Sequence, residues 1–174
     1  MQRHRFYTFV NRNYMSPVQW GIQTAHCVSS MMSAAVLDNA QAREAPMEGA
    51  GLLAQAMRWA VGEPTLMVMA ANNVAELLEL KANLAPLCNS LGLPFASFCE
   101  DMASLNGAIT CVGFLLPEEL FTLQMKTDAF GKVAFHQDPE SACGAPAGGL
   151  PLTRESNQEA FDLLIVAKTA RFAA

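Results

Sequence analysis

The chain has 174 residues, of which 52% are hydrophobic and 16% are charged. This composition excludes an intrinsically disordered chain, which requires low hydrophobicity and high charge, and it excludes collagen-like and coiled-coil proteins. The formal net charge of -5 argues against a wholly basic nucleic-acid binder.

Charge is distributed unevenly along the chain. Residues 1–37 contain Arg3, Arg5 and Arg12 but no acidic residue, because the first acid is Asp38. This segment is therefore positive, whereas the remainder of the chain is negative. We expect any site for an anionic partner to lie near the N-terminal segment.

The spacing of the cysteines and the length of the apolar segments indicate the cellular compartment. The five cysteines, at positions 27, 88, 99, 111 and 143, form no C-x-x-C pair, which is typical of reduced thiols in a cytoplasmic protein. Apolar runs are shorter than the ~18–20 residues of a membrane span, and the N-terminus lacks the pattern of a signal peptide. We therefore expect a cytoplasmic protein without a membrane partner.

The first predicted elements are a strand and a long helix. Residues 5–10 are aromatic and β-branched, which favours a strand. Ser16 and Pro17 have the pattern of a helix start, and Gln19 completes a capping box. The helix is predicted to run to about Val36.

This helix carries two stripes of opposite character. The spacing predicts a buried apolar stripe, formed by Val18, Ile22, Ala25, Val28 or Ser29, and Met32. A polar stripe follows at spacings of 4, 3 and 4, formed by Gln19, Gln23, His26 and Ser30. We interpret the polar stripe as a surface that meets water or a ligand.

Strands and helices alternate through most of the remaining chain. The predicted elements are a helix over 48–61, a strand over 65–70, a helix over the leucines 77–91 that Pro86 kinks or restarts and Gly92 ends, strands over 95–99 and 108–116, a linker over 138–153, and a helix over 155–172. Such alternation predicts an α/β protein. We expect a three-layer α/β/α core over 1–117 with a mixed four-stranded sheet, and a C-terminal appendage over 118–174 that packs on the core and ends in a helix.

Common catalytic and cofactor motifs are missing from the sequence. There is no G-x-G-x-x-G, no Walker A loop and no G-x-S-x-G, and His4, His26 and His136 lack metal-ligand spacing. We therefore expect neither a cofactor nor a metal. The remaining constellation combines the polar stripe with the loop over 99–107, which leaves the carboxyl end of a strand, where ligands of α/β sheets usually bind.

The first helix resembles the start of the type 2 (archaeal and eukaryotic) peptidyl-tRNA hydrolases. Those enzymes open with an apolar strand followed by M-x-x-G-K-x-A-A-Q-x-x-H-A, and Met15, Gln23 and His26 align with this pattern without a gap. Further similarities cover residues 5–117 in element order, namely an apolar strand over 66–70, the leucine-rich helix, Gly92-Leu93-Pro94, Glu100-Asp101, and Gly107 to Thr110.

The chain also departs from the family pattern. The family's helix-1 lysine falls on Gln19, and the glycine before it falls on Val18. The arginine of the family's R-D-A-G falls on Glu100, which reverses the charge, and the following loop is about three residues shorter. Loss of the lysine from an oxyanion site would cost about 2–4 kcal/mol of transition-state stabilisation.

The resemblance implies an enzyme that cleaves the ester between a peptide and tRNA by water activation. It implies catalytic roles for His26, Asp101 and Thr110. By the same likeness and from the polar stripe, we expect substrate contacts from Gln19, Gln23 and Arg12, with tRNA or peptidyl-tRNA as the partner.

Other interpretations stay open at this point. The departures favour a catalytically inactive relative that binds RNA or a protein, and a shared fold with a small-molecule ligand is a third reading. Each candidate residue also has a purely structural explanation, such as capping by Gln19 or a β-strand role for Thr110. The C-terminal extension is a candidate surface for a homodimer or a protein partner.

Overall fold

A four-stranded mixed sheet lies at the centre of the molecule. Its strands are β1 (His4–Asn11), β2 (Thr65–Ala71), β3 (Phe95–Cys99) and β4 (Ile109–Pro117). They lie in the order β2-β1-β4-β3, with β1 parallel to β2 and β4 antiparallel to both of its neighbours. The computed structural model describes residues 3–13, 16–41, 51–136, 152–154 and 157–170.

Helices cover both faces of the sheet. The helices of the described ranges are α1 (Pro17–Gln41), α2 (Leu52–Val61), α3 (Val74–Ser90), α4 (Met102–Leu105), α5 (Glu118–Phe121) and α6 (Gln158–Thr169). One face packs against α1 and α2, and the other against α3, with α6 packed on α3. The predicted three-layer α/β/α architecture with a mixed four-stranded sheet and a C-terminal helix is confirmed.

The two central strands, β1 and β4, divide the core into two layers. Alternate residues of β1 point to opposite faces, so Phe6 and Val10 pack beneath α1 whereas Tyr7 and Phe9 pack beneath α3. Every residue of β4 is buried. This burial on both faces explains why β4 is a continuous apolar run rather than an alternating one.

Close packing between α1 and the sheet depends on a glycine in β4. A Cβ atom on Gly113 would lie 2.5 Å from the Phe6 ring and 3.0 Å from the Cys27 sulfur. Any side chain here would therefore force α1 away from the sheet.

Local signals fix both ends of α3. The Asn73 side chain accepts the backbone N–H of Glu76 at 2.9 Å, which caps the helix. At the other end, the backbone N–H of Leu93 donates to Cys88 O at 2.8 Å and Gly92 has φ +62°, which together form a Schellman motif. Between these ends α3 continues through Pro86 without restarting.

The predicted buried stripe of α1 is wrong for its first half. Val18 is 70% exposed, Ile22 is 48% exposed and Ala25 is also exposed, whereas Val28 and Met32 are partly buried and pack on the core. The helix instead buries its neighbouring face, formed by Trp20, Gln23, Thr24, Cys27, Met31 and Ala35. Both faces have helical spacing, so the spacing alone does not distinguish them. The helix also extends to Gln41, beyond the predicted end near Val36.

The C-terminal part contains a hairpin that the sequence patterns did not predict. Strands β5 (Gln124–Thr127) and β6 (Val133–His136) pair antiparallel, and Phe135 of β6 bridges to Leu152. The predicted linker over 138–153 and the start of the predicted helix over 48–61 lie largely or partly outside the described residues. The division of the chain at residue 117 stays a prediction.

Candidate functional site

The carboxyl ends of three strands meet at one edge of the sheet. Because β1, β2 and β3 run in the same direction, Asn11, Ala71 and Cys99 end together, and β4 begins beside them at Ile109. We call this the carboxyl edge, and the opposite one, at His4 and Pro117, the amino edge. Helix α1 starts beyond the carboxyl edge, where the Ser16 hydroxyl accepts the backbone N–H of Val18 at 3.2 Å.

A β-bulge aims two successive side chains of β4 at α1. Phe98 pairs with Cys111 and Cys99 pairs with Ile109, so Thr110 is the additional residue in β4. The Thr110 hydroxyl donates to the Gln23 side-chain oxygen at 2.6 Å, and the Cys111 thiol lies 3.1 Å from the Gln23 backbone oxygen. Normal alternation would send only one of the two residues to this face.

Gln23 links the bulge to the end of β3. Its amide oxygen accepts from Thr110, and its amide nitrogen donates to the Glu100 carboxylate at 2.8 Å. Gln23 is 6% exposed and Thr110 has no exposed surface. Both ends of the buried amide are thus satisfied, as burial of a polar group requires. The bridge fixes the rotation of α1 relative to β3.

The His26 ring stands one turn further along α1 and stacks on Phe98. The two ring centroids are 4.4 Å apart and the planes differ by 8°. His26 is exposed, whereas Phe98 is partly buried. The stack orients the imidazole, and the residue as a whole stays exposed to solvent.

Asp101 lies in the turn that follows β3. Its backbone oxygen accepts the N–H groups of Leu105 and Gly107, each at 3.2 Å, which closes the short helix α4. The residue is exposed and directly follows Glu100, the partner of Gln23. Asp101 therefore stands at the carboxyl edge, next to the residue that holds Gln23. Its predicted pairing with His26 stays a prediction.

The predicted substrate contacts are spread along the carboxyl edge. Gln19 is exposed on α1, one turn before Gln23. Arg12 follows β1 and donates to the Asn72 side-chain oxygen at 3.3 Å. Because β4 separates β1 from β3, Arg12 lies about 10 Å from the β3 end, or two strand spacings.

The other two N-terminal arginines lie at the amino edge. Arg3 is ion-paired with Glu118, and the Arg5 guanidinium lies 4.2 Å above the Phe121 ring. Hydrogen bonding from Arg3 holds the pKa of the Glu118 carboxyl below its usual value of 4.5. The expected positive N-terminal segment is thus divided between two edges, with Arg12 at the carboxyl edge.

Two buried thiols, Cys27 on α1 and Cys88 on α3, are not nucleophiles at neutral pH. The neighbouring Cys111 thiol, together with burial, raises the pKa of Cys27, and burial raises the pKa of Cys88 to about 12. Among the residues that the structure describes, no cluster of histidine, cysteine and carboxylate side chains could hold a metal ion. The same part of the chain contains no helix long and apolar enough to span a membrane.

The structure brings together Gln23, Thr110, His26 and the start of the loop that carries Asp101. Sequence reasoning missed the roles of Glu100 and Phe98, which hold Gln23 and His26 in place. The sequence did contain a signal that Glu100 matters, because Glu100 occupies the position of the family's arginine, next to Asp101. No sequence signal pointed to the stacking of His26 on Phe98, because the two residues are 72 positions apart in the chain.

Comparison with known proteins adds no family assignment. No protein-family model matches the chain, and no curated protein matches it significantly. The resemblance to peptidyl-tRNA hydrolases therefore depends on the motifs themselves.

Proposed function

We propose that the carboxyl edge hydrolyses the ester between a peptide, or a peptide-like acyl group, and the 3′ end of a tRNA. The observation that supports this most is the presence, on the same helix, of an exposed imidazole oriented by ring stacking and of a buried glutamine whose side chain is hydrogen-bonded at both ends. His26 stacks on Phe98, and the bridge from Gln23 to Thr110 and to the Glu100 carboxylate holds α1 against β3 and β4. These are groups suited to activating a water molecule next to an ester.

In the proposed reaction His26 acts as general base. Its free ring nitrogen takes a proton from water as the water oxygen attacks the ester carbonyl. The proton then passes to the leaving ribose oxygen, so no covalent intermediate on the protein is required. In this scheme Asp101 orients the imidazole or the water, and Gln19 donates to the carbonyl oxygen or the ribose.

The amino end of α1 supplies an anion-binding surface for the same substrate. Pro17 has no N–H and the Val18 N–H donates to the Ser16 hydroxyl, so what favours a phosphate here is chiefly the positive end of the helix dipole. His26 lies nine residues after Pro17, which corresponds to a rise of about 14 Å along the helix. A nucleotide phosphate at the helix end and an ester at His26 therefore fit one extended 3′ terminus.

A second candidate function is binding without turnover. Gln23 and Thr110 satisfy each other in the interior, Gln19 is neutral where the family has lysine, and Glu100 is negative where the family has arginine. These features favour an inactive relative that binds RNA or a protein. RNA binding would weaken steeply with added salt because phosphate contacts release counterions, whereas binding of a protein need not.

Release of tRNA from peptidyl-tRNA under single-turnover conditions tests the proposal. With enzyme in excess, the wild-type chain is expected to release tRNA, and His26→Ala and Asp101→Asn are each expected to lower the rate by about 100-fold or more. His136→Ala is the matched control, because this histidine lies on β6, in the two-stranded sheet that is separate from the central one. Wild-type release that His26→Ala leaves unchanged would contradict the assigned base.

The same samples separate the two functions. Binding of the tRNA with no release at high enzyme concentration would favour the binding module. Neither binding nor release would overturn the hydrolase and the RNA-binding module.

A further inference from the structure

The outer face of α1 is uncharged and mostly exposed, and of its residues only Met32 is partly buried, where it also packs on the core. It consists of Val18, Gly21, Ile22, Ala25, Ser29, Met32, Ser33 and Val36. Val18 is 70% exposed, Ile22 48% and Val36 51%. A helix that covers a sheet normally presents charged and polar side chains on this side. The outer face therefore lacks the composition that solvent contact favours.

The outer face also carries no charge in an acidic protein. From Asn13 to Leu37 the chain contains no aspartate, glutamate, lysine or arginine, although its net charge is -5. Two copies that approached through other acidic surfaces would repel each other. Contact through α1 avoids that repulsion.

Large and small side chains on the outer face are arranged symmetrically about Cys27. An antiparallel copy centred there would pair Val18 with Val36, Gly21 with Ser33, Ile22 with Met32, and Ala25 with Ser29. The small pairs let the two backbones approach closely, and the large pairs pack on either side of them. Antiparallel alignment also opposes the two helix dipoles favourably. This self-complementarity is what an isologous two-fold contact requires.

Gly21 gives an independent reason to expect a close neighbour. A Cβ atom at this position would meet no atom of the described residues within 4 Å, so packing among them does not require glycine. Glycine inside a helix costs about 0.5–1 kcal/mol relative to alanine. Close approach of another helix backbone accounts for a residue that the isolated chain does not need.

We propose that a second copy of this chain covers the outer face, with the two α1 helices antiparallel across a two-fold axis at Cys27. The 25 residues of α1 span about 37 Å. A helix pair of this length buries a few hundred Å² per copy, less than the ~800 Å² of a standard stable interface. The dimer is accordingly expected to be weak, with a dissociation constant in the micromolar range.

Analytical ultracentrifugation over a broad concentration range tests the dimer. The wild-type chain is expected to pass from monomer to dimer, and Gly21→Leu is expected to stay monomeric throughout. Leucine meets open space in one copy and is a better helix former, so this variant should unfold at an equal or higher temperature. Leu78→Lys, at another exposed apolar position on α3, is the matched control and should dimerise normally.

Cross-linking tests the register of the contact. In a background with Cys99 and Cys143 replaced by serine, a mixture of Val18→Cys and Val36→Cys proteins should be joined by a short bis-maleimide. Neither protein alone should be joined, because equal positions lie about 27 Å apart in the antiparallel pair. A wild-type chain that is monomeric at every concentration would overturn the proposal, as would a dimer that Gly21→Leu leaves intact. Cross-linking of either single protein would overturn the register.

Discussion

At the scale of single residues, the Gln23 amide is the connection between α1, β3 and β4. It accepts from the Thr110 hydroxyl and donates to the Glu100 carboxylate, and it is almost completely buried. A buried amide in this position is costly unless both of its ends are paired. The side chain that the sequence places on a polar stripe thus contributes to stability as well as to the site.

Removal of the Thr110 hydroxyl should reveal this cost. Thr110→Val keeps the shape but leaves the Gln23 oxygen buried without its donor, so we expect the free energy of unfolding to fall by about 1–3 kcal/mol. Urea denaturation measures the change. Thr127→Val, at an exposed threonine on β5, is the control and should change stability by less than about 0.5 kcal/mol. Equal small effects of both substitutions would contradict the role of the bridge.

The described cysteines should differ sharply in reactivity. Cys99 is exposed, whereas Cys88 is buried and its pKa is raised to about 12. The thiolate is the reactive form, so a brief iodoacetamide treatment of the native protein near neutral pH should label Cys99 and spare Cys88. Peptide mapping by mass spectrometry measures both. Labelling of Cys88 as fast as Cys99 would show that the core opens readily.

At the scale of elements, local patterns predicted most helices and strands, because caps, apolar runs and turn residues act over a few positions. The Asn73 cap, the leucine stripe and the Gly92 stop of α3 all have such local causes. Which face of α1 is buried has no such local cause, because two stripes with helical spacing compete and only packing on the sheet decides between them. The bulge at Thr110 is likewise a property of strand pairing, which no segment of sequence contains by itself.

Two glycines should respond oppositely to the same substitution. Gly92 has φ +62° in the Schellman motif, so Gly92→Ala should lower the free energy of unfolding by about 1 kcal/mol. Gly21 lies within α1, so Gly21→Ala should raise it by about 0.5–1 kcal/mol. Neither new Cβ meets an atom within 4 Å, so the difference reports backbone conformation. Thermal unfolding at low protein concentration measures both, and effects of equal sign would contradict the assigned conformations.

At the scale of the whole molecule, the two edges of the sheet have different electrostatic roles. The amino edge uses Arg3 and Arg5 internally, in contacts with α5. The carboxyl edge combines Arg12 with Glu100, Asp101 and the amino end of α1. The charge count of the N-terminal segment predicted an anion site, but it could not tell that β1 carries its arginines to opposite ends.

The ion pair at the amino edge should make stability depend on pH. The pKa of Glu118 is held below 4.5 in the folded protein, so the pair stabilises the fold above that pH and loses its effect as the pH falls through the folded-state pKa. Glu118→Gln should therefore be less stable than wild type at about pH 6 and equally stable at the acidic limit. The difference should stay below about 1 kcal/mol because the pair is exposed.

Urea denaturation across this pH range measures that dependence. Glu79→Gln, at an exposed position on α3, is the control and should keep the wild-type pH profile. A stability gap that persists unchanged at the acidic limit would contradict the assignment to the ion pair.

The most direct test of the account asks where a substrate analogue binds. Amide NMR spectra can be followed while the chain is titrated with an amide-linked, non-hydrolysable analogue of a peptidyl 3′-terminal adenosine. We predict saturable shifts of the Gln19, His26, Phe98 and Asp101 signals at the carboxyl edge, and constant signals around Phe121 at the amino edge. Shifts confined to the amino edge, or none at the highest analogue concentration, would contradict the assignment of the site.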